Sequence, residues 1–432
     1  MTPRTAHPYF KKSKRTHKEH ALARAAGGGP LTVPQYCALL GLKAGSFPGG
    51  GTIGILELGG GWVEADMTAF FESIGQPTPT ITDVSVDGST NAGVNGGDAS
   101  VEVALDIQVA GAVYQYLTGK TANIAMLWSQ NIDTAAVKSS SLGHASCSCS
   151  WGDDEPAWGA SGLAEMQAAL VTCTGAGTSF FAASGDNDAD DDDGTGKPSV
   201  DAPASCTNAV ACGGTSTPPT GAAVIWNNNP GQADGEGTGG GYSATFPFAS
   251  WCKGPTGPGR MVSDVASNAD PDTGFEIVQG GETQVVGGTS AAAPFWAGLF
   301  AALGPKGQGF VNAKLWGSPS SFTPVTSGTN GVYAAAVCCG LGVPSAATLA
   351  LLAGAAPAPT PPAPTPPAPT PPAPTPPAPT PPAPTPPTGP VTLAEAIAWT
   401  TTGLNEGAFI QDRAQAIANA TKGLTKNWPA SS

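Results

Sequence analysis

The chain has 432 residues, enough for one large domain or two smaller ones, with 59 Gly, 43 Pro and only 12% charged residues. Lys and Arg number 18 against 32 Asp and Glu, a net charge of −14. Residues 1–30 hold seven of the basic residues and one acid, so the remainder carries 11 basic and 31 acidic residues. Such a body argues against nucleic acid as a partner and suits work at low pH, where many carboxylates are neutral.

Residues 1–30 form a basic arm, expected to be a disordered, solvated tail. It has no apolar stretch long enough for a signal peptide: Ala21–Ala26 is short and broken by Arg24. No run approaches a membrane span. From 31 to 353, short apolar runs alternate with helical patterns. Strands are predicted at Thr52–Leu58, Ile81–Val86, Asn123–Trp128, Ser146–Trp151, Ser179–Ala183 and Ala209–Cys212, and helices at Glu64–Ile74, Val101–Leu117 and Ala160–Thr172. The alternation predicts an α/β domain with a mostly parallel central sheet covered by helices on both faces. Nine cysteines include no paired C-x-x-C pattern and read as mostly buried thiols, with room for one or two bridges such as Cys206–Cys212.

The segment 354–390 is a linker built on six tandem APTPP units. Proline at this density forces polyproline II, and at about 3.1 Å per residue the segment reaches roughly 90–100 Å. It is a spacer or a ligand for a proline-binding module. Residues 391–432 carry a modest helical pattern over Val391–Trp428, cut by Gly403, Gly407 and Gly423. They read as a small helical tail that docks onto something else.

The most informative stretch is Gly287–Leu299, GGTSAAAPFWAGL. A glycine-bordered Thr-Ser pair opens an alanine-rich helix, and Pro294 is tolerated only near a helix start. Ser290 then sits at a helix N-terminus, where amides and the dipole favour negative charge. That placement suits either a capping serine or a nucleophile. A serine nucleophile needs a base. Three of the four histidines, His7, His17 and His20, lie in the arm, and His144 has no orienting carboxylate near it in sequence. A Ser-His-Asp arrangement is disfavoured.

Carboxylates are the alternative. In VEVALDIQVAG, Glu102 and Asp106 lie four apart on one helix face, flanked by apolar residues. They are either a solvated pair or a coupled acid pair, one accepting a proton and the other orienting it. In FFAASGDN an apolar strand runs into Ser-Gly-Asp, which places Asp186 at the carboxyl edge of the sheet, where sites form. The acidic run Asp188–Asp193 does not fit a calcium loop and reads as a solvated loop.

With these residues in place, the chain resembles the sedolisins, the serine-carboxyl peptidases, in particular their kumamolisin-like members. The likeness covers about Leu31 to Leu352. It rests on nine motifs in order: ILELGGG, EVALD, SWGDDE, SGDN, VDAPAS, ACGGT, GGGYSATFPFASW, NADPDTG and GGTSAAAP. The resemblance implies a subtilisin-like three-layer fold and an endopeptidase of acidic pH optimum acting on peptide or protein substrates. It implies Ser290 as nucleophile, Glu102 as general base, Asp106 as its partner and Asp186 as the oxyanion-hole acid. Glu57 and Trp151 would extend the hydrogen-bond chain behind the pair. Ser150, Gly152, Gly240 and Gly241 would flank the substrate backbone. An Asp186 that donates to an oxyanion must be protonated, and the neighbouring acidic run is expected to raise its pKa by like-charge repulsion.

Two departures stand out. Family members carry a long prosegment, whereas about thirty residues precede the domain here. The expectation is either that folding is independent of a prosegment, or that the prosegment is missing or supplied separately. The family also binds calcium near its C-terminus, but Pro324 replaces the first ligand Asp in PVTSG, with Val325 beside it, and the second Asp is missing. Calcium is expected to bind weakly or not at all. The family precedent implies an extracellular or acidic compartment and, most simply, a monomer. The other reading is a catalytically impaired sedolisin-fold module for binding or structure, displayed on the proline spacer.

Overall fold

The computed structural model describes residues 6–25, 29–191, 195–217, 222–232 and 235–354. The APTPP repeats and the expected helical tail lie outside them. In chain order, the arm forms β1 (His7–Pro8), β2 (Lys11–Lys12) and α1 (His17–Ala25), followed by α2 (Val33–Leu39). Next come β3 (Thr52–Glu57), α3 (Glu64–Ser73), β4 (Thr80–Ser85), α4 (Asp98–Thr118), β5 (Asn123–Trp128) and α5 (Ile132–Ser141). Then follow β6 (Ser146–Cys149), β7 (Trp151–Asp154), α6 (Glu155–Gly175), β8 (Ser179–Ala183), β9 (Asp201–Ala202) and β10 (Val210–Ser216). After them lie β11 (Val224–Ile225), β12 (Gly241–Tyr242), β13 (Met261–Val262), β14 (Val265–Asn268), β15 (Phe275–Gln279), β16 (Glu282–Gly287) and α7 (Thr289–Ala302).

The central sheet runs β11-β10-β8-β6-β3-β5-β4, with β14 also on β10. All its pairings are parallel except β10 with β11. The strands read as apolar runs because both faces are covered, and alternate residues serve opposite layers. Ile53, Ile55 and Phe181 join the layer with α4 and α7, while Leu56, Leu127 and Phe180 join the layer with α5 and α6. The fold is the subtilisin-like three-layer arrangement expected.

Helix α4 is apolar nearly all round, which makes it a core helix, and it ends at Gly119 in the left-handed region (φ 67°). Every residue of α7 is buried. The two cross closely at Gly298, where a Cβ would come within 3.1 Å of the Ala110 backbone. The Ser146 hydroxyl ties α7 to the sheet by donating to Ala297 O at 2.8 Å.

Three expectations are corrected. All nine cysteines are buried free thiols, so Cys206 and Cys212 form no bridge. The acidic run is not solvated where described: Asp188, Asp190 and Asp191 are each at most 1% exposed. The arm, expected as a solvated tail, instead lies along the body over its described residues. β1 pairs antiparallel with β7, and β2 pairs antiparallel with β16. Among the described residues no helix is long and apolar enough to cross a membrane.

Candidate active site

The carboxyl ends of the parallel strands deliver most of the singled-out residues, as expected for this kind of sheet. Glu57 is the last residue of β3, Ser150 joins β6 to β7, and the chain leaving β8 carries Ser184, Gly185 and Asp186. Glu102 and Asp106 come from adjacent turns of α4, and Thr289 and Ser290 open α7. Glu57, Glu102, Asp106, Asp186, Ser150 and Ser290 are all 0–1% exposed. The paired carboxyls of α4 are therefore in the interior, not on a wet face.

A chain of contacts links them. Trp151 Nε1 donates to Glu57 Oε2 at 2.8 Å. Ser150 Oγ lies 2.9 and 3.0 Å from the two Asp106 oxygens. Pro294 has no amide to offer the carbonyl four residues back. That carbonyl belongs to Ser290, and Ser150 Oγ lies 3.4 Å from it. The Ser290 hydroxyl lies 3.4 Å from Ser150 O. Glu102 is close enough to the Ser290 hydroxyl and to Asp106 for both to act on its charge, although neither of its oxygens has a hydrogen bond of ordinary geometry.

Burial dominates the electrostatics. It pushes the Glu102 carboxyl well above the usual range, Asp106 and Glu57 push it further, and the Ser290 hydroxyl opposes. Glu57 rises for the same first cause, then through Asp106, against the Trp151 bond. Asp106 is pushed up to about 8 by burial, with Ser150 and Glu102 pulling down. Like charges this close titrate as a unit.

Asp186 is held by Thr289, whose amide and hydroxyl donate to Oδ1 at 2.7 and 2.9 Å. Its Oδ2 has no partner. It faces Gly288 (φ 102°), where a Cβ would lie 2.6 Å from that oxygen and would collide with Tyr9 O. Gly288 is thus required both for its dihedral and for this close approach. The Asp186 pKa is raised, but by burial; Lys11, the Thr289 bonds and His7 pull it down. The expected repulsion from the neighbouring acidic run appears instead on Asp191, whose carboxyl Asp186 helps to raise.

The sequence missed Thr289 as the clamp on Asp186 and the arm as a neighbour of Ser290. The Ser290 amide donates to Tyr9 O at 2.9 Å, and the Tyr9 amide donates to Ser150 O at 3.0 Å. Gly152 pairs with His7 across the β1–β7 ladder. Ser150 and Gly152 therefore do flank an extended backbone. A Cβ on Gly240 would meet Val262 O and Cys338, while Gly241 packs on Tyr333 and pairs with Val262. His144 bonds to a serine other than Ser290. It is buried with Nδ1 3.0 Å from Ser139 Oγ, and burial lowers its pKa to about 4.

The residues at the expected calcium position do not fit that ion. Pro324 supplies no carboxylate, Val325 is a buried apolar side chain, and Phe322–Thr323 pair with Val343–Pro344. Among the described residues no group of three or more His, Cys, Asp or Glu side chains is arranged to hold a metal.

Fold and site together define a subtilisin-like protein whose serine is surrounded by carboxyls. The chain belongs to the Subtilase family, whose sequence profile matches residues 64–314. Within that group it is a kumamolisin-like sedolisin. It is 36% identical to kumamolisin of Bacillus sp. (strain MN-32) over 359 residues, 76% of this chain and 62% of that protein. It is 34% identical to sedolisin of Pseudomonas sp. (strain 101) over 185 residues, 38% of this chain and 31% of that one. The chain thus spans less than two thirds of the length of these relatives. The solved structure of Pseudomonas sedolisin, a serine-carboxyl proteinase complexed with two molecules of pseudo-iodotyrostatin, matches with a TM-score of 0.66 at 22% identity. That match covers 76% of this chain and 98% of the other, and it establishes the shared fold.

Proposed function

We propose that the chain is a serine-type endopeptidase that hydrolyses peptide bonds in acid through an acyl-enzyme on Ser290. Glu102, ionised, takes the Ser290 proton as the hydroxyl attacks the substrate carbonyl. Asp106 supports Glu102, and Glu57 with Trp151 backs the pair. The Ser290 amide and a protonated Asp186 donate to the oxyanion, and Glu102 returns its proton to the leaving amine. Water then attacks the ester by the same route.

One observation carries this reading. A backbone carbonyl, that of Tyr9, accepts from the Ser290 amide at 2.9 Å. It lies on the same side of Gly288 as the unpartnered Asp186 Oδ2. The acid range follows from Asp186, because an ionised carboxylate would repel the oxyanion. The raised Asp186 pKa lets it stay protonated at higher pH than an ordinary aspartate.

A catalytically silent binding module is the second reading, favoured by the arm that bonds to the Ser290 amide. Peptide cleavage from about pH 3 to pH 7 by the full chain and by Ser290→Ala separates the two. Turnover that depends on Ser290 is expected, and its absence across the range would leave the binding module standing.

A further inference from the structure

We propose that Asn330 is a positioning residue for Asp186: it ties the loop 324–342 to the segment that backs the Asp186 turn, and this tie needs no metal ion. The role at Asp186 rests on the peptidase reading above. Asn330 is 0% exposed, and its side-chain amide is fully used. Nδ2 donates to Gly240 O at 2.9 Å and to Thr238 O at 3.3 Å. Oδ1 accepts from the Tyr333 amide at 2.9 Å. The Asn330 amide donates to Tyr333 O at 3.1 Å, closing a turn through Gly331 in the left-handed region (φ 87°). A buried side chain with both donors and its acceptor satisfied specifies one arrangement.

The two carbonyls that Asn330 holds lie on either side of Gly239. Gly239 has no room for a side chain, because a Cβ would collide with Ser184 O. Its amide donates to Gly185 O at 2.8 Å, and the Gly237 amide donates to Asp186 O at 3.1 Å. The Ser184 hydroxyl donates to Gly239 O at 3.4 Å. The segment 237–240 therefore backs the turn 184–186, and Asn330 joins that backing to the loop. A second anchor acts on the same segment: the Thr238 hydroxyl accepts from Gly214 N of β10 at 2.8 Å.

The loop offers a hard cation little. Residues 283–394 contain no Asp or Glu, so the loop has only neutral oxygens to give. The carbonyls of Ser327, Gly328 and Thr329 already accept from Ile225 N at 3.1 Å, Ala335 N at 3.2 Å and Asn227 Nδ2 at 2.9 Å. The adjacent thiols close the loop further. Cys338 Sγ donates to Tyr333 O at 3.6 Å and Cys339 Sγ to Gly214 O at 3.8 Å. Where the resemblance implies a metal-held loop, an amide side chain closes it instead.

The test has two parts. The first is denaturant unfolding of the full chain carrying Ser290→Ala, in EDTA and in millimolar calcium. A bound ion raises the midpoint with the logarithm of its concentration. Coincident midpoints are expected, and a midpoint that climbs with calcium overturns the metal-free tie. The second part uses Asn330→Asp, which keeps the acceptor for Tyr333 N but loses at least one of the two donors. Amide exchange read by mass spectrometry should speed up at 184–187 and 237–240 by about fivefold or more, the scale of one hydrogen bond. Unchanged exchange there would mean that the Thr238 anchor suffices, and the tie falls whether or not the chain is a peptidase. In peptide cleavage the same substitution should lower kcat by about 10–10²-fold, the scale of a misplaced catalytic group, with KM little changed. Faster exchange with wild-type kcat and KM would leave Asn330 a structural residue only, and its positioning role would fall. If the wild-type chain cleaves no peptide, the peptidase reading and the role at Asp186 fall together, while exchange and calcium still decide the tie.

Discussion

Raising the pH from 4 to 8 is expected to destabilise this fold, and Asp106→Asn is expected to flatten that loss. An unfolded aspartate titrates near ~3.9, whereas burial pushes folded Asp106 up to about 8. Between those values the folded chain holds the proton more tightly than the unfolded chain. The unfolded state therefore binds fewer protons, and stability falls as pH rises. The contribution is complete below the unfolded pKa and is lost through the folded one. At about 1.4 kcal/mol per pH unit, a carboxyl displaced this far carries roughly 5 kcal/mol, an amount that belongs to the Glu102–Asp106 pair rather than to one residue. A domain of this kind has about 5–15 kcal/mol in total, so the effect is large enough to dominate the pH profile. Glu57, Glu102, Asp191 and Asp201 are all raised and act in the same direction. The measurement is denaturant unfolding at pH 4, 6 and 8 in a Ser290→Ala background, with and without Asp106→Asn. The amide has no proton to lose, so its stability should drop less over the interval. Parallel profiles, or a background that gains stability toward pH 8, would refute the argument.

Three further outcomes are expected. Ser290→Ala should lose about 10⁶ in kcat, the scale of removing a serine nucleophile, while its acid denaturation midpoint stays put; retained turnover would place the chemistry elsewhere. Asp186→Asn should keep part of its rate and lose the alkaline limb of kcat/KM, since an amide donates at every pH. Asp186→Ala should lose about 10²–10³ throughout, and an unchanged alkaline limb in the Asn form would remove Asp186 from the proposed oxyanion site. Arg260 and Asp264 form a buried ion pair at 2.6 Å, their side chains each 1% exposed. Arg260→Met strands that carboxylate and should cost about 3–5 kcal/mol in denaturant titrations; a loss below 1 kcal/mol would mean that Ala211 N, Asn312 and Trp316 suffice to hold it.

The central sheet and α4 were legible because their signal is local. Asn123–Trp128 and Ser179–Ala183 are apolar runs that end as strands within the bounds expected, and the Glu102/Asp106 pair betrayed its burial through its flanking valines, Leu105 and Ile107. Ser146–Trp151 was less so: the strand breaks at Ser150 and restarts as β7, because Ser150 turns its hydroxyl to Asp106. The acidic run misled for a related reason. Consecutive aspartates predict solvent, yet Asp188 and Asp191 are folded inward beside Gly237 and Gly185, whose missing side chains make the room. The arm was illegible because nothing in HPYFKKSK is periodic. Its structure is borrowed from β7 and β16, strands more than 140 residues away, and only the adjacent aromatics Tyr9 and Phe10 inside a basic stretch hinted at a docking segment.

Burial also bears on the proposed mechanism, in which carboxyls stand where a related fold would use histidine. A general base must be unprotonated at the working pH. An exposed histidine, with a pKa near ~6.5, is mostly protonated in acid and cannot serve there. A buried one does not supply a strong base either: His144 is driven down to about 4. Burial moves a carboxyl the other way, raising its basicity. Beside Glu102, the Ser290 hydroxyl favours that ionised form, opposing the rise caused by burial and by Asp106 and Glu57. The same burial raises the Asp186 pKa. One physical cause thus raises both carboxyls, and the two are told apart by their neighbours: Ser290 and Asp106 around Glu102, Thr289 and Lys11 around Asp186.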